Sequence, residues 1–327
     1  MDVSLNGTVL TRDVLAADGR VVASRGEVVD LEHLKDVAAR APRGLREIPL
    51  HETSAVHSVL EAFESPPLEH LVGNETSRAL AADGLSDVRF PQLVWDELEA
   101  LRRDDGPRYQ HAIWTGVIAA RLFRAALGQA PGLARLVGGA LVHDVGMRYA
   151  SARLRFKQDH LTPAEALALE DHPLLGALLL ANVLGDAPAV HFALLHHTRA
   201  GFGYPRLTGG KPPLRGLDLV AVSSAFAALI APRPYRLQPF NVRGAVDLLL
   251  EEAQAGHFDV RAVRMLVQCL RGGEGQTSFG GCEPVVEFEQ LLHVLIWVVV
   301  CFHATASCGT HLVDQIGTVK QKSDGMS

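Results

Sequence analysis

The sequence predicts a mainly α fold, a helical bundle preceded by a small β-rich N-terminal module. Three observations carry that expectation. Strand and turn signals crowd residues 1–50, apolar residues recur at a 3.6-residue period from about residue 53, and Thr162-Pro-Ala-Glu165 has the makings of a helix start. The chain of 327 residues, 48% hydrophobic and 21% charged, carries enough apolar material for a sizeable core.

Within residues 1–50, Val9-Leu10 and Val14-Leu15 flank Thr11-Arg-Asp13, Asp18-Gly19 signals a turn before Val21-Val22, and Gly26 precedes Val28-Val29. Leu31 to Ala39 reads as a short helix. Residues 53–107 then form a helical connector, with Val56, Leu60 and Phe63 as one stripe and Leu93, Leu98 and Leu101 as another. The stretch 108–270 reads as an all-α domain. It opens on a helix over 108–127 bearing His111, Thr115, Ile118 and Leu122 at helical spacing, and continues into a nearly all-apolar helix from Gly132 to Val145, with Gly146 placed to cap it.

Thr162 as N-cap, Pro163 in the first turn and Glu165 reaching back open the next helix, and Pro173 starts another. Ala189 to His197 is apolar and helical, Gly201-Phe-Gly-Tyr-Pro205 is a loop, and Leu217–Ile230, Val242–Ala253 and Val260–Leu270 complete the bundle. Residues 271–281 are linker-like in composition. In the tail, 282–327, the apolar run Val294–Phe302 falls far short of the ~20 residues that span a bilayer, so a membrane association is not expected.

A net charge of -6 gives no electrostatic case for a polymeric nucleic acid, although a small phosphorylated ligand depends on local charge alone. The N-terminus lacks a basic region followed by an apolar stretch, and all 4 cysteines lie in the last fifth of the chain. A reduced, cytoplasmic protein is the expectation. Cys301, His303, Cys308 and His311 have irregular spacing and read as free thiols and ordinary histidines rather than a zinc site.

Chemistry concentrates on histidine. His143-Asp144 closes an apolar run, and its imidazole and carboxylate can reach one metal ion, with a second carboxylate oxygen left to bridge to another. His111 precedes this pair, and His172, His196 and His197 follow it, each in or beside a helix. A single buried histidine is more often structural. The ordered set instead gathers imidazoles and a carboxylate at the centre of a bundle, where facing helices build metal sites.

Over residues 108–270 the chain resembles the HD-GYP subfamily of HD-domain metal-dependent phosphohydrolases. The matched stretches are His111, His143-Asp144-x-Gly146, Leu161-Thr-Pro-x-Glu165, His172-Pro-x-x-Gly176, His196-His197, Gly201-x-Gly-Tyr-Pro205 and Arg233-Pro-Tyr-Arg236. The segment from Gly7 to Gly26 also resembles the small β module that often precedes such domains. The resemblance implies an HD-domain bundle with a site of two or three metals, usually iron or manganese, that hydrolyses cyclic di-GMP with a metal-activated water. His111, His143 and Asp144 would hold one ion. Asp144, His172 and His196 would hold the second, with His197 beside it. Asp144 and His143 are the catalytic centre in this reading. Arg233 and Arg236 would grip phosphates, and Tyr204 would shape the base pocket or a docking surface for GGDEF-type cyclase domains.

Departures from the pattern are specific. Met147 stands where the subfamily has a lysine, Thr198 where it has a glutamate, Ser224 where it has a metal-binding aspartate, and Pro107 replaces the glutamate one turn before the first histidine. Ser224 is a far poorer ligand than a carboxylate. One or two divalent ions, Fe or Mn, are therefore expected rather than three. The expected function is hydrolysis of cyclic di-GMP or a related phosphoester. The alternative is a degenerate module that senses or docks.

Overall fold

The computed structural model describes residues 4–5, 7–150, 162–199, 202–205, 207–208, 216–232 and 238–273. The linker and tail readings beyond 273, and the expectations placed on Arg233 and Arg236, lie outside the described residues.

Short antiparallel pairs build the N-terminal module. β2 (Thr8–Val9) pairs with β5 (Val28–Val29), and β3 (Val14–Leu15) pairs with β4 (Val21–Ala23) across a turn closed by the Ala16 N–H to Arg20 O bond of 2.9 Å. The first strand, β1 (Ser4–Leu5), instead joins a strand far along the chain, Leu207–Thr208. α1 (Leu31–Ala39) has the predicted bounds and is N-capped by Asp30, which accepts from the His33 N–H. A further pair was not legible as strands: β6 (Glu47–Pro49) with β7 (Arg89–Pro91), anchored where the Trp95 indole N–H donates to Ile48 O at 3.0 Å.

Between them lie α2 (Ala55–Phe63), the single turn α3 (Glu69–Val72) and α4 (Glu75–Ser86). The α2 stripe differs from expectation. Leu60 is 55% exposed, and Ala55, Val59, Ala62 and Phe63 are the buried face. In α5 (Gln92–Asp104) the core face is Val94, Trp95, Leu98 and Leu101.

α6 (Gly106–Leu127) is the central helix. Asp105 caps it by accepting from the Arg108 N–H, and Pro107 occupies the first turn, where its missing N–H costs nothing. Ala112, Val117, Ile118, Ala119, Ala120, Leu122 and Phe123 are fully buried because α2, α4, α7 (Leu133–Val142) and α11 (Leu217–Ile230) wrap it from several sides. α7 stops at Val142, three residues before the predicted end. His143 and Asp144 therefore sit in the turn after the helix, and Gly146 lies inside a 3₁₀ turn, Val145–Tyr149, rather than capping α7.

α8 (Pro163–Glu170) carries the full capping box, with Thr162 and Glu165 satisfying each other's backbone donors. α9 (His172–Leu184) follows at once and is buried along most of its length; α10 (Pro188–Leu195) packs against it and against α7. α10 ends at Leu195, so His196 and His197 occupy the turn beyond it rather than its last residues. The short pair β8 (Thr198–Arg199) and β9 (Phe202–Gly203) follows, with Leu207–Thr208 as β10. α12 (Val242–Gln254) and α13 (Val260–Leu270) close the bundle against α11.

Candidate metal centre

Four separate helix ends deliver the predicted donors to one buried place. His111 comes from the second turn of α6, His143 and Asp144 from the turn after α7, His172 from the start of α9, and His196 and His197 from the turn after α10. His111, His143, Asp144, His172 and His196 are all buried, and His197 is partly exposed. Their ligand atoms fall into two groups, each lying within 4.8 Å: His111, His143 and Asp144, and His172, His196 and His197.

Asp144 joins the groups. Its Oδ1 is 3.2 Å from His172 Nε2 and 3.9 Å from His196 Nε2, while its Oδ2 is 3.9 Å from His111 Nε2. Ser224, on α11, completes the first group: its Oγ lies 3.2 Å from both His143 Nε2 and His111 Nε2.

Backbone carbonyls orient the rings. His143 Nδ1 is 2.7 Å from Ala140 O, His172 Nδ1 is 2.7 Å from Leu169 O, and His196 Nδ1 is 2.9 Å from Ala193 O. A carbonyl can only accept, so each Nδ1 carries the hydrogen and each Nε2 presents a lone pair inward. His172 Nε2 and His196 Nε2 then face each other at 3.2 Å as two acceptors, next to a carboxylate oxygen. A cation placed between them would reconcile these lone pairs, and the donor set of neutral imidazoles around a shared carboxylate fits a divalent transition metal.

Desolvation keeps the imidazoles neutral, the form that ligates. Burial pushes His143 down to about 4 against the weaker opposite effect of its Ala140 bond, and pushes His172 down to about 3. His196 and His197 are lowered by burial first and by neighbouring imidazoles second.

Tyr204 covers the second group. Its ring stacks on His197 with centroids 4.6 Å apart and meets the edge of His172 at 5.9 Å; burial raises its phenol above the ordinary value. Gly203 permits this approach, because at φ 84° a Cβ would stand 2.2 Å from His197 O.

Residues at which this chain departs from the HD-GYP pattern it resembles have defined places. Met147 is buried in the 3₁₀ turn and supplies no charge. Thr198 is buried, and its backbone pairs with Gly203 in the β8–β9 ribbon. Arg233 and Arg236 lie outside the described residues.

Sequence reasoning missed two arginines. Arg199 is buried and its Nη1 donates to His196 O at 2.8 Å and to Thr198 O at 3.1 Å, so it braces the His196-His197 turn; burial lowers it to about 10. Arg108 lies one turn before His111, is braced by Asp105 Oδ2 at 3.0 Å, and its charge bears on His172 and Tyr204. Each sits within three residues of a predicted ligand, and that adjacency was the available signal.

The chain matches no family model. It is 27% identical over 129 residues to a 3'3'-cGAMP-specific phosphodiesterase of Vibrio cholerae, a stretch covering 39% of this chain and 30% of that protein. It is 35% identical over 103 residues to a cyclic di-GMP phosphodiesterase of Thermotoga maritima, covering 30% of this chain and 27% of that protein. The chain thus spans less than a third of the length of these two relatives. Among solved structures, the HD domain of the Listeria monocytogenes phosphodiesterase PgpH in complex with cyclic-di-AMP is 16% identical, with a TM-score of 0.41 over 54% of this chain and 93% of that one.

Proposed function

We propose that this chain, which resembles the HD-GYP subfamily of HD-domain phosphohydrolases as a divergent member, is a metal-dependent phosphodiesterase acting on a cyclic dinucleotide. The observation that carries the reading is the convergence of His172 Nε2, His196 Nε2 and Asp144 Oδ1 within 3.2–3.9 Å, with the imidazole hydrogens committed elsewhere. Similarity to curated cyclic di-GMP and cGAMP phosphodiesterases supports the substrate class, with cyclic di-GMP or a related phosphoester as the substrate.

His111, His143 and Asp144 would hold one divalent ion, and Asp144, His172 and His196 a second, with His197 alongside; iron and manganese suit this mixed nitrogen and oxygen set. When bound, such ions supply Lewis acidity, which activates water and neutralises phosphate charge. The chain's own residues do the rest. Backbone carbonyls at Ala140, Leu169 and Ala193 hold the rings in register. Tyr204 walls one side of the second group and offers a flat face to a base. Arg233 and Arg236 would offer guanidinium forks to the phosphates.

A second reading has its own observation. Ser224 brings a hydroxyl where a carboxylate would balance two dications, and Met147 removes a phosphate-binding cation. A site so reduced suits a sensor or a module docking GGDEF-type cyclase domains through the Gly203-Tyr-Pro205 loop.

Metal analysis of protein purified without chelator, paired with a cyclic di-GMP hydrolysis assay, separates the two. The phosphodiesterase reading expects bound iron or manganese and turnover. Bound metal with no turnover in excess manganese overturns it and leaves the docking module.

A further inference from the structure

We propose that Glu97 and Arg148 are positioning residues: their ion pair fixes the 3₁₀ turn behind Asp144 and so holds that carboxylate between the two histidine groups. The inference rests on the metal-centre reading, but concerns residues outside the ligand set.

Asp144 is the last residue before the turn Val145–Tyr149, and its carbonyl accepts from the Met147 N–H at 3.0 Å. The direction of the Asp144 side chain is therefore set by how that turn is seated. Its inner side presses on α9 through Gly146, where a Cβ would stand 2.0 Å from His172 O and 2.5 Å from Gly176 N. That contact sets the closeness of the turn to α9, and the buried Val145 and Met147 seat it against the core without the directional constraint of a polar bond.

The outer side supplies the restraint. The Arg148 guanidinium donates to Glu97 Oε2 on α5, and Glu97 Oε1 accepts from the Ala17 N–H at 2.5 Å. One residue on, Tyr149 Oη accepts from the Leu15 N–H and donates to Leu15 O, both at 2.5 Å, and Arg12 Nη1 donates to Tyr149 O at 3.0 Å. The turn is thus tied to α5 and to the β3–β4 hairpin together.

Burial indicates why an ion pair stands here. The Glu97 side chain is 3% exposed and that of Arg148 16%. A buried pair pays a desolvation cost that offsets most of its attraction, so an apolar pair would give similar stability. What the charged pair adds is direction: a guanidinium and a carboxylate meet in a narrow range of geometries. Groups that orient a metal ligand from outside the coordination sphere act in this way.

The test is manganese affinity of the full chain by calorimetry, with thermal stability of the metal-free protein measured alongside. Arg148→Met is expected to weaken manganese binding by about tenfold or more, the usual scale for outer-sphere partners, with Arg148→Lys recovering part of it. Glu97→Met combined with Arg148→Met removes both charges and keeps the protein foldable. It is expected to recover thermal stability without recovering manganese affinity. Unchanged affinity in Arg148→Met, or a double variant that recovers both properties, overturns the proposal. A wild-type chain that binds no manganese overturns both this proposal and the metal-centre reading. Metal binding without phosphodiester hydrolysis leaves this one intact and overturns only the enzymatic reading.

Discussion

Ser224 Oγ lies 3.2 Å from His143 Nε2 and within the same distance of His111 Nε2. A hydroxyl has one hydrogen to share between two ring nitrogens and no charge to give a dication. Asp144 is consequently the one carboxylate in the two ligand groups found among the described residues.

Ser224→Asp restores a negative charge at that point. Metal affinity is expected to rise by about tenfold or more, the scale on which single changes around a metal act, and any cyclic di-GMP hydrolysis should rise with it. Calorimetric titration and initial rates check this; unchanged affinity means Ser224 does not face the metal.

The two ligand groups should be separable. His143→Ala is expected to remove the ion held with His111, and His172→Ala the ion held with His196, each lowering the metal stoichiometry measured by mass spectrometry. If His143→Ala leaves metal content and activity untouched, the site assignment is wrong.

Acid should destabilise the metal-free protein well before carboxylates titrate. His143 and His172 are held neutral by burial down to about 4 and about 3, whereas an unfolded chain protonates histidine near 6.5. Below that value the unfolded state binds more protons. Stability is therefore full above pH 6.5 and falls as pH drops toward 4, by about 1.4 kcal/mol per pH unit for each such histidine. Melting of chelator-treated protein across pH 7.5 to 5 tests the sign; a melting temperature that rises on acidification contradicts it.

Gly146→Ala places a Cβ against backbone at His172 and Gly176, which cannot move aside as a flexible side chain would. Overpacking of this kind costs about 1–3 kcal/mol. The melting temperature should fall, and metal binding should fall with it because Asp144 and His172 flank the contact.

Arg199→Lys keeps the charge but loses the planar guanidinium, whose Nη1 reaches both His196 O and Thr198 O while the group lies over the Phe258 ring. Metal retention under chelator challenge should decrease while the bundle stays folded, as judged by circular dichroism. Equal retention would assign Arg199 to packing against Phe258 alone.

Much of this architecture was legible in the chain. Helical periodicity and caps marked α1, α11 and α13 with their bounds, because each has a polar cap or a turn residue at its ends and an apolar stripe between. The α2 stripe misled at Leu60, since periodicity names two possible apolar faces and only the neighbouring helices decide which is buried. α7 and α10 read too long for a related reason. Apolar residues run on past the last helical turn because the following ligand turn is itself buried. The β6–β7 pair was missed because its strands are three residues each and lie about forty residues apart, leaving no local hairpin signal.

By itself the sequence determined the candidate donors: which histidines and which aspartate, in an order that four helix ends bring together. Residue type and local helical spacing are properties of the chain, so they can be read from it. Only the tertiary structure decided how those donors relate. The tautomers follow from carbonyls in the preceding helical turn, the 3.2 Å approach of Ser224 spans more than a hundred residues to His111, and the Glu97–Arg148 tie joins elements that no local pattern links. Distances between remote segments are set by packing of the whole bundle, and that information has no local signature.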